Sequence, residues 1–336
     1  MTVPVLTFFN NKSGVGKTSL VYHLAWMLSD RGYRVLACDL DPQANLTAAF
    51  LNEDQLEKLS DDGNGAAAQT ILQCVQPLTK EGDIKAPTLA EITSALCLIP
   101  GDLALARFEE MLASAWPNAL GSSELYRPFR ILTAFSTAVQ AGAAQMDAAV
   151  VLVDVGPNLG AINRSALIAT DYIVVPLGTN LFSLQSLCNL GPTLNQWRQD
   201  WQRRRDHWTQ PSFPLPDGAM QPVGYVVQQH GVILSRPIRA DDKWVNRMPE
   251  AYARNLCGDS KGPYPATPAQ DEQNNLATVK HYRSLVPMAQ EARKPIFHLT
   301  TADGAIGSHA AAAKDARQDF RDLAKKIARR INLGDV

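Results

Sequence analysis

Apolar and polar positions follow two periods along this chain. Short runs dominated by apolar and β-branched residues lie at 5–9, 34–39, 97–100, 149–154, 172–176, 223–228 and 295–298, most of them closing at or near a glycine, proline or carboxylate. Near-continuous apolar runs of this length mark strands covered on both faces, as in a parallel sheet. Between them, 17–29, 103–112, 184–205 and 310–331 repeat apolar residues at helical spacing. Strands alternating with helices require right-handed crossovers, so the pattern predicts a doubly wound α/β fold. Its twisted sheet is mostly parallel and flanked by helices, with the ligand at the carboxyl ends of the strands.

Three stretches break the rhythm: the polar 52–93, the proline-rich 208–222, and 237–280, which contains Lys261-Gly262-Pro263-Tyr264-Pro265. Strand patterns resume after each, so they read as insertions near 52–93, 208–222 and 237–280 in one domain spanning 1–336. A chain of 336 residues, 46% hydrophobic, is long enough to bury a large core and excludes a disordered segment. The net charge of -1 excludes a uniformly basic nucleic-acid binder, but it averages two unlike halves. Residues 1–150 hold 10 basic and 16 acidic side chains (-6), and residues 151–336 hold 22 and 17 (+5). Five dispersed cysteines without a C-x-x-C pair suit a reducing compartment. With no signal-peptide pattern and no apolar run of membrane-span length, the expected location is the cytoplasm.

The strongest chemical signal follows the first apolar run: Asn10-Asn11-Lys12-Ser13-Gly14-Val15-Gly16-Lys17-Thr18-Ser19, then a helix. A glycine-bearing turn at a helix N-terminus aims backbone N–H groups and the positive dipole end at one point, where a phosphate can sit. Gly14 and Gly16 allow close backbone approach, Lys17 reaches the terminal phosphates, and the Thr18 hydroxyl is a Mg²⁺ ligand. The strict pattern G-x-x-x-x-G-K-[ST] is not met, because its first glycine falls at Asn11. The second apolar run ends in Cys38-Asp39-Leu40-Asp41-Pro42-Gln43-Ala44-Asn45, which directs two carboxylates toward the phosphate end. The fourth ends in Val153-Asp154-Val155-Gly156-Pro157-Asn158-Leu159-Gly160, an apolar strand closing on one carboxylate.

These segments resemble the ParA/MinD family of deviant Walker A ATPases, most nearly the Soj-like ParA partition ATPases. The family motif K-G-G-x-G-K-[ST] corresponds to Lys12 through Thr18, with Ser13 in place of a glycine. Its D-x-D-P-Q-x-N segment corresponds to Asp39 through Asn45. Its D-x-P-P segment starts at Asp154, with Gly156 in place of the first proline. The resemblance implies a homodimer that sandwiches two ATP and Mg²⁺, with residues 12–19 holding phosphate and Lys12 crossing to the partner's nucleotide. It gives Thr18, Asp39 and Asp154 to the metal, Asp39 acting through water, and Asp41 to the attacking water. Residues 156–161 become a γ-phosphate-sensing loop. Gln228 and Gln229 fall where the family begins its adenine-side contacts. The likeness continues through Ala169-Thr170-Asp171 and Lys294-Pro295-Ile296.

Family resemblance also implies binding of nonspecific DNA by the ATP dimer, association with the nucleoid, and a ParB-like partner that stimulates hydrolysis. The candidate contacts are Arg317, Arg321, Lys325, Lys326 and Arg329 on the last predicted helix, and Arg283 before it. The run 197–208 interleaves Trp197, Trp201 and Trp208 with arginines, and is read as an inward-packed helix face rather than a base-stacking one. A MinD-like switch, using the last helix on a membrane surface, is the alternative within the family. An iron-sulfur reductase with a deviant phosphate loop is a second, and no second cysteine follows at the 156–161 loop to support it.

Overall fold

A computed structural model describes residues 2–60, 68–122, 124–228, 243–280, 282 and 284–334. Eight strands form one sheet: β1 Val5–Phe8, β2 Val35–Asp39, β3 Ala90–Thr93, β4 Leu96–Ile99, β5 Val150–Asp154, β6 Tyr172–Gly178, β7 Gln221–Gln228 and β8 Asn275–Val279. Their spatial order is β3-β4-β2-β5-β1-β6-β7-β8, and all pair in parallel except β3, which runs antiparallel to β4 at one edge. The fold is a doubly wound α/β sheet, as the apolar pattern predicts.

Side chains alternate between two cores. Leu6, Phe8, Val35, Ala37 and Leu152 join the helices Lys17–Asp30 and Ser308–Arg330 on one face. Val5, Leu36, Cys38, Val151 and Val153 join the helices Ala134–Gln145, Ala161–Ile168 and Leu181–His207 on the other. Strands covered on both sides need apolar residues at consecutive positions, which is why β1, β2, β4 and β5 are buried at every residue.

Four helix expectations hold to within a few residues, except that 103–112 begins as the 3₁₀ turn Leu103–Phe108 and becomes α-helical from Glu109. The run 295–298 is not a strand. Ile296–His298 is a 3₁₀ turn, with Ile296 and Phe297 buried against Phe320 of the last helix, so their hydrophobicity serves helix packing. Both sheet edges lie inside stretches read as insertions. β3 is only partly buried, and β8 buries Leu276 and Val279 while exposing Thr278, patterns too weak to signal a strand in sequence. The indole-rich run packs inward: Trp201 is fully buried, donates to the Pro216 carbonyl at 2.9 Å and lies against Trp116 and Phe129.

Candidate active site

β1 is the switch point of the sheet, its neighbours β5 and β6 leading away to opposite edges. Loops from the carboxyl ends of β1, β2 and β5 therefore converge. The first of these loops ends at Gly16, in the left-handed region (φ 72°) directly before the Lys17–Asp30 helix. A Cβ at Gly16 would collide with the Gln228 side-chain amide, which donates to the Gly16 carbonyl at 3.3 Å. No side chain caps this helix and its first turn has no acidic residue, so its positive end remains available to an anion. Lys17 is buried, its Nζ donating to the Lys12 carbonyl at 3.1 Å. Burial lowers the Lys17 pKa, while Asp154 and then Asp41 draw it back up.

Asp39 and Asp154 end neighbouring strands and stand opposite each other in the ladder. Both are fully buried, but their surroundings differ. Asp39 accepts from the Thr47 amide and hydroxyl, each at 2.8 Å, and from the Asp41 amide at 3.1 Å. Among the described residues no hydrogen bond of ordinary geometry reaches either carboxylate oxygen of Asp154, and the Thr18 hydroxyl is the neighbouring donor that eases its charge. Burial drives the Asp154 pKa well up, reinforced by Asp39 and Asp41; neighbouring Thr18 and Lys17 oppose it. Burial likewise pushes Asp39 up to about 6, against the Thr47 and Asp41 hydrogen bonds. An ion missing its partner is costly to bury, so an unsatisfied Asp154 beside Thr18 fits a divalent cation. Among the described residues no three or more His, Cys, Asp and Glu form a metal cluster. Mg²⁺ needs none when phosphates and water complete its shell.

Asp41 is buried, accepts the Gln43 amide at 3.0 Å, and lies against Gly156 of the loop after β5. A Cβ at position 156 would stand 3.2 Å from Asp41 Oδ1, a tight contact that glycine avoids. Lys12 turns away from its own loop: its Nζ donates to Asn180 Oδ1 at 2.9 Å and lies 3.4 Å from Ser183 Oγ, at the start of the Leu181–His207 helix. A cleft of about 670 Å³ runs from Gly14 and Thr18 past Tyr22 and His23 to Ala289 and Arg293. Ser13, Ser19 and Asp41 also line it, whereas Val15 is buried in the loop. Arg317, Arg321, Lys325, Lys326 and Arg329 form an exposed stripe on the last helix. Lys326 donates to the Asn275 carbonyl at 3.3 Å, and the other four are in no ion pair among the described residues. Arg283 and Gln229 lie outside the described residues.

Several residues of the site carry no sequence signal. Thr47, which holds Asp39 and also accepts the Gly101 amide at 2.7 Å, reads as an ordinary helix residue. His23 falls in an apolar helix pattern yet forms the cleft wall: its Nδ1 bonds the Ser19 carbonyl at 2.7 Å, and its Nε2 accepts the Ile296 amide at 3.2 Å. These partners select the neutral tautomer protonated at Nδ1. Stacked on Phe320 and fully buried, the ring has its pKa lowered to about 4, first by desolvation. Because the folded pKa lies below the unfolded value of about 6.5, this contribution to stability is complete above pH 6.5 and lost as pH falls through 4. The unfolding free energy of the wild type relative to His23→Gln is expected to drop by on the order of 3 kcal/mol between pH 7 and 4. Urea titrations across that range check it, and parallel curves would refute it.

The profile of a family described as an AAA domain matches residues 3–205, more than half of the chain. The cell division protein PomZ of Myxococcus xanthus is 31% identical over 203 residues, covering 60% of this chain and 54% of PomZ. The sporulation initiation inhibitor protein Soj of Bacillus subtilis is 27% identical over 187 residues, covering 55% and 62%. The chain spans about half the length of the curated relatives it matches. The crystal structure of protein DIP2308 from Corynebacterium diphtheriae shares the fold over 98% of this chain and 99% of its own, with TM-score 0.72 and 24% identity. With its phosphate loop, strand-end carboxylates and mostly parallel sheet, the chain belongs to this AAA-domain family and is a member of the ParA/MinD family of P-loop ATPases.

Proposed function

We propose that the protein is a ParA-like ATPase that dimerises with ATP, binds nonspecific DNA in that state, and hydrolyses ATP to partition or position DNA or another cargo. The observation that carries this reading is the fully buried, poorly compensated Asp154 carboxylate beside Thr18 and Lys17, two residues that themselves line the cleft. Thr18 and Asp154 hold Mg²⁺, with Asp39 supporting its water shell. When bound, the metal neutralises phosphate charge and orients the β- and γ-phosphates. Lys17 and the open helix N-terminus stabilise negative charge on the transferring group, and Asp41 orients the attacking water. Gln228, which donates to the Gly16 carbonyl, is the candidate for contact on the adenine side.

Lys12 already points to a neighbouring surface instead of its own loop, which suits a role across a dimer interface. Forming the sandwich means exchanging Asn180 and Ser183 for the partner's phosphates. Two subunits double the exposed stripe of Arg317, Arg321, Lys325 and Arg329, so a near-neutral monomer acquires a basic surface when ATP assembles it. A ParB-like partner would accelerate hydrolysis, release DNA and return the protein from the nucleoid to the cytoplasm.

The test is binding to random-sequence duplex DNA with Mg·ATP, Mg·ADP or no nucleotide. Binding is expected only with Mg·ATP, weakening by about 10³-fold between about 50 and 200 mM salt if six of the eight cations meet phosphates. Lys12→Ala should abolish the dimer and the DNA binding together. Sedimentation with anionic liposomes in place of DNA would overturn the DNA assignment in favour of a membrane switch. Failure to bind either nucleotide would overturn the whole reading.

A further inference from the structure

The loop after β5 is clamped from a distance. The helix that follows it, Ala161–Ile168, has Gly160 before it, no side-chain cap of its own and no acidic residue in its first turn. Its first two amides are taken instead by Glu109, more than fifty residues away in sequence. Ala161 N donates to Glu109 Oε1 in a very short hydrogen bond, and Ile162 N donates to Oε2 at 2.8 Å. A carboxylate there satisfies two orphan donors and meets the positive end of the helix. Glu109 begins the helix Glu109–Asn118, which is anchored by the buried Phe108, Leu112 and Ala115. At its far end Trp116 lies between two guanidinium groups, Arg164 of the clamped helix at 4.1 Å and Arg204 at 3.8 Å.

From the other side Asn163 closes the loop upon itself. Its Nδ2 donates to the Gly156 carbonyl at 2.8 Å and to the Asn158 carbonyl at 2.7 Å. The loop so held keeps Gly156 beside Asp41. Gly160 leaves room for the clamp: a Cβ there would stand 2.5 Å from Glu109 Oε1. Its backbone (φ -74°, ψ 179°) suits any L-residue, so glycine here is accounted for by side-chain neighbours, the Glu109 carboxylate first and Asn158 Oδ1, at 3.0 Å from such a Cβ, second.

We propose that Glu109 is a positioning residue for hydrolysis, clamping the 156–160 loop so that Asp41 and the γ-phosphate-sensing backbone stay aligned. This rests on reading the site as an ATPase. Glu109 touches no reacting atom. It acts by removing freedom from the loop, and misplacing a positioned group by about 1 Å can cost up to roughly 10²-fold in rate.

Three variants test it: Glu109→Ala, Glu109→Gln and Gly160→Ala. Glu109→Ala is expected to lower kcat about tenfold while KM for Mg·ATP and ADP affinity change by less than about twofold. Gly160→Ala should match it by displacing the carboxylate, and Glu109→Gln, which keeps one oxygen acceptor, should fall between. The double variant Glu109→Ala/Gly160→Ala should be no worse than either single change, because both remove one contact. In nucleotide-free protein, the Ala161 and Ile162 amides should exchange faster in Glu109→Ala, a readout independent of turnover. The proposal is overturned if kcat is unchanged or raised, if nucleotide affinity falls in step with kcat, or if the two changes are additive. A wild-type chain without Mg-dependent turnover sinks the ATPase reading along with it. Active wild type with an equally active Glu109→Ala sinks this inference alone. If Glu109→Ala does not fold, Gly160→Ala still decides the outcome.

Discussion

Asp41→Ala is expected to lower ATP turnover by roughly 10²–10³-fold while the protein still binds Mg·ATP, so that the ATP form accumulates on DNA. The expectation follows from how Asp41 is held. Its amide is tied to Asp39, its Oδ1 accepts the Gln43 amide, and Gly156 closes over it. Among the described residues no hydrogen bond engages Oδ2, which leaves that oxygen to orient a water. Removing the carboxylate should affect the chemical step far more than nucleotide binding, which depends on the loop backbone, Lys17 and Thr18. Single-turnover hydrolysis together with DNA release after an ATP chase measures both consequences. Rapid release with normal turnover would show that Asp41 does not serve the water.

Asp154→Asn should separate stability from function. The carboxylate is fully buried, has only the neighbouring Thr18 and Lys17 to ease its charge, and faces Asp39 and Asp41. Such a group must either stay charged with little compensation or take up a proton on folding, and both weaken the metal-free fold, so a neutral amide is expected to stabilise the nucleotide-free protein by about 1–2 kcal/mol. The same change should eliminate Mg²⁺-dependent turnover, because the neutral amide is a poor ligand for a hard cation. Thermal melts without nucleotide, paired with ATPase assays over a Mg²⁺ series, test the two halves together. A destabilised variant that keeps its Mg²⁺ response would mean that Asp154 is an ordinary core carboxylate. The strain belongs to the site: residues placed for a ligand are unsatisfied without it, and the surrounding core offsets their cost.

Much of the site is legible because its elements are local. A strand followed by Gly14, Gly16, Lys17 and Thr18 must turn sharply into a helix, and only glycine adopts the φ of 72° at position 16 without strain. Asp39 and Asp154 stand out as carboxylates closing apolar runs, a position where a charge has no packing purpose. The weak points in the reading share one cause: hydrophobicity reports burial without naming what does the burying. Pro295-Ile296-Phe297-His298 has a strand's composition, but Ile296 and Phe297 join the core of the last helix, Phe297 against Phe320, and among the described residues the segment pairs with no strand. Asn275–Val279 has an edge strand's faint pattern and gains its identity only by pairing with β7.

What the amino-acid sequence determined by itself was the order of elements, the parallel α/β class and the phosphate loop, since periodicity and glycine conformation act over a few residues. The tertiary structure decided which charges are satisfied and which are left wanting. Thr47 holds Asp39 with two hydrogen bonds while Asp154 has only the neighbouring Thr18 and Lys17 to ease its charge; Asn180 draws Lys12 aside across 168 positions; Glu109 reaches a helix N-terminus across 52. Such contacts have no sequence period, because they exist only where crossover connections bring loops from distant strands to the same end of one sheet.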